Sequence, residues 1–577
     1  MSREISRRKF LGVGIKSAAA LAAHKTLIAR ARPVLLAARG PQAQAAQFQP
    51  AFARLDEFVT AHMRETGAPG LTLALANRDG VLRVATYGLA DVKTGARVAP
   101  ATLFQIGSIS KSFVSAALLQ LRDEGKLDLH KPVTDYLPWL RIATKFEPVT
   151  THHLLSHTAG LPGAPLLLDA LLGELWTGYK PGARFLYSNT GYNILGFLVE
   201  RLDGRPFAEA MRARLFAPLG MTASFPVITN ETRRAMAVGY QPFYPDKPFP
   251  VRGPLGEAPW IEMDMAAGSI AATPADMAAY VRMLLNRGAT PRGRVLSEEA
   301  FRLFTTPVVK APFRGEDASY AYGLWVSDAG GHTRLRHTGG MVAFSSALDV
   351  DLTEGVGAFA SVNARLGGYR PVAVARFALD AVTAALHATK LPDVPAPQPA
   401  PEEVKNAADY AGTYTAPDGR KLVLEAAGDR LFLVHGGQRV ALERAGRDAF
   451  IVKHPDFDLF RLGFVREGGK VMEAYHGADW YAGAAYAGAR TFDYPKEWAA
   501  YAGHYHNDSP WYGGARVVLR KGRLWLDGEA PLVPAGGGMF GIGDPEAPDH
   551  VSFESLVGGQ AMRLNYSGII FRRVFTP

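Results

Sequence analysis

Residues 390–403, KLPDVPAPQPAPEE, can be neither the interior of a helix nor a central strand. Proline lacks the N–H that both ladders use and fixes φ at about −65°, so Pro392, Pro395, Pro397, Pro399 and Pro401 impose an extended, semi-rigid spacer. At 577 residues the chain also exceeds what a single hydrophobic core serves. The spacer divides it into a body at 46–389, the linker itself at 390–406, and the region that follows. In that last region the chain repeats itself. YAGTY at 410–414 returns as YAGHY at 501–505, and GDRLFL at 428–433 returns as KGRLWL at 521–526. Short alternating strands with Gly-rich turns, duplicated at this spacing, predict two small all-β units of barrel or sandwich type, 407–494 and 495–577. Trp480, Tyr481, Trp511, Tyr512 and Trp525 are assigned to their cores.

The body has another texture. Residues 51–66 have helical periodicity, and GLTLALANRDGVLRVATYGLAD reads as two strands around Asn77-Arg78-Asp79-Gly80. Helices dominate from 108 onward, including 191–203 and a helix opened by Thr273-Pro274. Strands return at 322–328, 333–340, 345–352 and 357–364, and a last helix covers 371–388. The prediction is α+β: an antiparallel sheet closed by both ends of the body, flanked by helices, with an all-helical insertion.

Charge is unevenly placed. Nine of the 64 Lys and Arg residues, and one of the 54 acids, lie in residues 1–45. The leader therefore carries +8 and the remainder +2, which removes the main support for a nucleic-acid partner. Ser6-Arg7-Arg8-Lys9-Phe10-Leu11 ahead of a modest apolar stretch resembles a twin-arginine export signal, and Ala43-Gln44-Ala45 offers a cleavage site. Residues 1–45 are thus expected to be a signal peptide and the protein periplasmic or secreted; a disordered basic tail is the alternative. No stretch reaches 18 uninterrupted apolar residues, so no membrane span is expected. Cysteine is absent, and covalent catalysis here must use oxygen or nitrogen.

FQIGSISKSF at 104–113 interrupts an apolar segment with serines and lysines. Ser108 and Lys111, at i and i+3, project from one helix face. In a first turn Ser108 also offers a free N–H to a developing oxyanion, and a partly desolvated lysine can take its proton. About one Ser-x-x-Lys is expected by chance in such a chain, and a helix cap beside a solvated lysine is the plain alternative. Two further elements add weight. Tyr187-Ser188-Asn189 precedes a helix and supplies a phenol and an amide. His337-Thr338-Gly339-Gly340 lies on a strand, where His337 and Gly339 share a face and Gly340 offers its N–H to a ligand. His153 and His157, four apart, could be read as a metal pair, but no Glu stands between them and no third ligand suggests itself. Neither a metal nor a cofactor is expected.

Together these elements resemble the serine β-lactamase and penicillin-binding protein superfamily over roughly 50–388, in the branch with Tyr-x-Asn as second element. HLLSHTAGLPG, AAGSIAATPADMAAYVRMLLN and YGLW support the likeness. The resemblance implies a β-lactamase-like sheet and an acylated Ser108. Lys111 and Tyr187 would share the proton transfers, and Asn189 would hold the substrate amide. The N–H groups of Ser108 and Gly340 would form the oxyanion hole. Many relatives have Lys where this chain has His337; the His form and the paired β units resemble D-aminopeptidases and DD-peptidases. The function expected is an exported serine hydrolase that cleaves amide bonds of peptides, D-residue or cell-wall type, through an acyl-enzyme. A carboxylesterase on the same machinery is the first alternative. A β-lactamase, or a catalytically weak penicillin- or peptide-binding protein, is the second. The partner in each case is a small peptide or ester.

Overall fold

The computed structural model describes residues 42–163, 175–248, 253–366 and 369–575. Residues 1–41 of the expected leader lie outside them. The first helix among the described residues, α1 (Gln42–Thr66), runs into the hairpin β1 (Gly70–Asn77) and β2 (Val81–Asp91). Its turn closes because Asn77 Oδ1 accepts the N–H groups of Asp79 and Gly80 at 3.0 and 2.8 Å, the local bonding that makes Asn a turn residue. After β3 (Ala96–Arg97) come the helices of the insertion, among them α2 (Ser110–Asp123), α3 (Asn189–Asp203) and α4 (Pro274–Leu285). Thr273 caps α4 by accepting the Asp276 N–H at 3.3 Å, with Pro274 in the first turn. Alanine at 273 would cost about 1 kcal/mol.

The chain then returns to the sheet as β4 (Val309–Lys310), β5 (Ala318–Tyr320), β6 (Trp325–Ala329), β7 (His332–Gly340), β8 (Ser345–Asp351) and β9 (Val356–Val362), and ends the body in α5 (Val372–Leu386). The nine strands lie in the order β4-β5-β6-β7-β8-β9-β1-β2-β3, antiparallel throughout. Leu71 pairs with Val362 and Asn77 with Val356, so the first and last long strands of the body close the sheet, as its sequence pattern predicts. All of β1, β8 and β9 is buried, because helices cover both faces. Leu71, Leu73 and Leu75 pack with Leu55 and Phe58 of α1 and Val374 and Phe377 of α5. Ala74 and Ala76 turn to the opposite side and join the core of α2, α3 and α4.

Beyond the linker the duplication becomes two closed eight-stranded barrels, spanning Gly412–Ala482 and Gly503–Val574. The repeated words do the same work in each. Tyr414 donates its hydroxyl to the Tyr410 carbonyl at 2.9 Å, and Tyr505 to the Tyr501 carbonyl at 2.7 Å. Leu431 and Leu433 of the first repeat, and Leu524 and Leu526 of the second, fill the interiors. Arg520 locks the barrels together, donating to the carbonyls of Gly477 and Gly528 between the rings of Tyr475 and Trp525.

The linker forms neither helix nor strand, but it is not free. Leu391 and Val394 pack on the core that holds α1, and the Gln398 N–H donates to Glu65 at 2.9 Å. Both barrels also touch the body. Lys247 pairs with Asp458 at 2.6 Å, and Trp176 donates to the Pro548 carbonyl at 2.7 Å. Trp511, expected inside a barrel, packs instead against the cluster of Phe104 and Phe344.

Candidate active site

The site begins at a backbone reversal. Gly107 has φ 55°, a conformation that costs glycine little, and a short 3-10 turn, Gly107–Ile109, delivers Ser108 to the start of α2. The other serines of this stretch are structural. Ser110 accepts the Ile270 N–H, Ser112 donates to the Ile109 carbonyl and accepts from Tyr280, and Ser115 donates to the Lys111 carbonyl. Ser108 is half-buried, and its hydroxyl lies 3.2 Å from Lys111 Nζ.

Lys111 is fully buried. Its Nζ donates to Asn189 Oδ1 at 2.7 Å and to the Ala267 carbonyl at 2.8 Å. Both partners are acceptors only, so a neutral amine spends its two protons on them and turns its lone pair to the third neighbour, the Ser108 hydroxyl. Burial holds the Lys111 ammonium well below its ordinary pKa, because charge is costly where water is excluded. The same Nζ stands 4.8 Å from the centre of the Tyr187 ring.

Tyr187 and Asn189 flank the N-cap of α3. Ser188 Oγ accepts the Gly191 N–H at 3.1 Å and donates to the Pro162 carbonyl at 2.7 Å, which fixes the corner. From the other side β7 closes on the turn. A methyl built on Gly339 would run into the Ile106 carbonyl, and one built on Gly107 would lie 2.7 Å from the Gly340 nitrogen. Only glycine permits this approach, and it sets the Gly340 amide beside the Ser108 turn. Thr338 is half-buried on the face opposite His337 and Gly339.

His337 is 2% exposed. Its Nδ1 donates to the Thr338 carbonyl at 2.8 Å, and its Nε2 meets the Tyr320 hydroxyl at 3.2 Å. Burial, with Tyr192 and Tyr187 nearby, keeps the Tyr320 phenol well above its ordinary pKa, so Tyr320 retains its proton and donates to Nε2.

A family model described as beta-lactamase matches residues 55–383. The chain belongs to the serine β-lactamase and penicillin-binding protein superfamily. Penicillin-binding protein 4 of Amycolatopsis lactamdurans is 30% identical over 393 residues, covering 63% of this chain and 97% of that protein. Esterase EstB of Burkholderia gladioli is 34% identical over 227 residues, 35% of this chain and 56% of the esterase. The octameric penicillin-binding protein homologue of Pyrococcus abyssi superposes with a TM-score of 0.52 at 23% identity, covering 74% of this chain and 99% of that one, a likeness of fold. As a member of this superfamily the protein is a serine hydrolase.

Seven of the eight residues singled out from the sequence gather around the Ser108 turn: Ser108, Lys111, Tyr187, Asn189, His337, Gly339 and Gly340; the eighth, Thr338, lies between them on the strand with its side chain on the opposite face. The structure adds the Ala267 carbonyl, which no side-chain pattern could reveal, and Tyr320. It also separates the two histidines of THHLLSHTAG. His153 Nδ1 accepts the Thr150 N–H at 3.2 Å and closes a capping box, whereas the His157 ring lies against Tyr187. Among the described residues no helix is long and apolar enough to cross a membrane.

Proposed function

We propose that the protein is an exported hydrolase that forms an acyl-enzyme at Ser108 and cleaves amide bonds of small peptides. The observation that carries this reading is the arrangement around Lys111, whose two fixed carbonyl acceptors leave the Ser108 hydroxyl as its third neighbour. In acylation the Ser108 oxygen attacks the substrate carbonyl while its proton moves to Lys111. The N–H groups of Ser108 and Gly340 receive the oxyanion. The proton then passes, with Tyr187, to the departing amine as the C–N bond breaks. Water, deprotonated by the same pair, attacks the ester; the C–O bond breaks, and Ser108 recovers a proton.

The sequence groups His337 with the substrate-binding residues, at the position where many relatives have Lys. Its burial and its hydrogen bonds to Tyr320 and the Thr338 carbonyl favour a different role, support of Tyr320 and of the strand end that carries Gly340. The test of the reading is labelling with a fluorophosphonate followed by mass spectrometry, with an adduct expected on Ser108. Matched D-alanyl amides and short-chain esters then separate peptidase from esterase. The ester alternative has its support in the 34% identity to esterase EstB.

A loop of the second barrel stands beside this site. The Gly163 N–H donates to Asp549 at 3.1 Å, Trp176 stacks on His550 at 5.7 Å, and Gly178 abuts the backbone of Glu546 and Pro548. We expect a Gly-Ser-Gly-Ser replacement of residues 546–549 to leave Ser108 labelling intact. The ratio of kcat/KM for bulky over small acyl groups should rise about tenfold, roughly 1.4 kcal/mol of discrimination. An unchanged ratio would remove the loop from substrate selection. Export rests on the leader: with Arg7 and Arg8 replaced by lysine, precursor should accumulate in the cytoplasm, and normal export of that variant would rule out a twin-arginine signal.

A further inference from the structure

His157 is a residue that the steps above do not use. It is 1% exposed, and its backbone is left-handed at φ 56°, a strained state for a side-chain-bearing residue. That conformation turns two acceptors toward one short segment. The His157 carbonyl accepts the Leu186 N–H at 2.8 Å, and its Nδ1 accepts the Ser188 N–H at 3.1 Å. The residue between them is Tyr187. The imidazole lies against the Tyr187 ring, with centroids 4.1 Å apart and planes at 37°.

A backbone N–H only donates, so Nδ1 is unprotonated and the proton of the neutral ring sits on Nε2. Among the described residues Nε2 has no hydrogen-bond partner, and the rings of Phe185, Tyr192 and Tyr320 surround the imidazole. Lys111 and His337 are the cationic or titratable neighbours besides the tyrosines. Burial first, then these two, hold His157 well below its ordinary pKa. A left-handed backbone and an unbonded buried N–H are both unfavourable locally, and such features persist where the surroundings over-determine them.

We propose that His157 is the positioning residue of Tyr187: it clamps the amides on either side of the tyrosine, packs against its ring, and so sets the phenol relative to Lys111 and Ser108. This rests on the serine hydrolase reading above. Two variants of the full chain test it. His157→Gly keeps the left-handed backbone and the Leu186 bond but loses the Nδ1 acceptor and the ring. His157→Asn also tolerates the backbone and offers Oδ1 to the Ser188 N–H, without the ring. With an activated ester, kcat of His157→Gly should fall about 100-fold with KM within about threefold, as expected of a displaced proton-transfer group. His157→Asn should recover about tenfold of that loss.

Nitrogen-15 histidine spectra of the wild type provide a readout that needs no variant. Nδ1 of His157 should be unprotonated and should show no titration near pH 6.5, where an ordinary imidazole titrates. A protonated Nδ1, or a folded His157→Gly protein with kcat within about threefold of wild type, would overturn the proposal. Wild-type protein that a fluorophosphonate does not label at Ser108 would instead bring down the catalytic reading, and this proposal with it.

Discussion

Ser108→Ala should abolish covalent labelling and lower turnover of every acyl substrate by about ten-thousandfold or more, while leaving the melting temperature nearly unchanged. Among the described residues the Ser108 hydroxyl makes its one hydrogen bond to Lys111, and it is half-buried at the start of α2, so losing it removes little packing. Rate should respond far more than stability. What activity remains would come from binding and from the proposed oxyanion donors, which the alanine variant retains. A serine that served only as a helix cap would give the reverse result: a loss of stability near 1 kcal/mol with catalysis intact. Parallel kinetics and thermal melts distinguish the two, and full turnover in a demonstrably pure Ser108→Ala preparation would refute the assignment.

Lys111→Met should be nearly as severe, by about a thousandfold, because in the proposed mechanism nucleophile and base act as one unit. Its second signature is in pH. The folded-state pKa of Lys111 lies well below the ordinary lysine value. Between that folded value and about 10.4 the unfolded chain binds a proton that the native protein does not. This contribution to stability is therefore fully present above about pH 10.4 and is lost as pH falls to the folded pKa. In the proposed mechanism activity has the same sign, since only a free amine can accept the Ser108 proton: kcat/KM should rise with pH and level off above the folded pKa. Methionine fills a similar volume and does not titrate, so both slopes should flatten. The Asn189 and Ala267 oxygens lose a donor in that variant, at roughly 1–3 kcal/mol for each group left buried and unbonded. The diagnostic is the slope, not the absolute stability. A wild-type stability curve that stays flat across the alkaline range would show that Lys111 titrates normally.

Much of this site was legible because its parts obey local rules. Ser108 and Lys111 are one helical turn apart, Ser188 announces the start of α3, and the His337–Gly340 run follows strand alternation. The hairpin at Asn77 and the tyrosine repeats of the barrels were readable for the same reason: each depends on contacts within a few residues. What the pattern could not convey depends on contacts between distant segments. The Ala267 carbonyl is a backbone atom, and any residue type would present it. His337 looked available to a substrate because its strand face was known, but not that Tyr320, two strands away on β5, would reach its Nε2. His157 was noticed for its spacing from His153, a helical argument, whereas its conformation after the helix end aims it at residues 186–188. The proline-rich linker was read as extended, and it forms neither helix nor strand. Composition could not tell that Leu391 and Val394 would anchor it to the body.

The pairing of β1 with β9 carries a consequence for how the protein is made. Leu71 and Val362 are about 290 residues apart in the chain, and at some 5–20 residues per second that separation takes roughly 15–60 s to synthesise. Throughout that interval the hairpin of β1 and β2 exists with one long edge unsatisfied, carrying Leu71, Leu73 and Leu75 and a row of open backbone groups. Such an edge invites pairing with other nascent chains. The body cannot finish folding as it emerges from the ribosome. Its native sheet waits for the ninth strand, and a chaperone that shields the first hairpin until then should raise the yield of active enzyme more than any aid supplied after release.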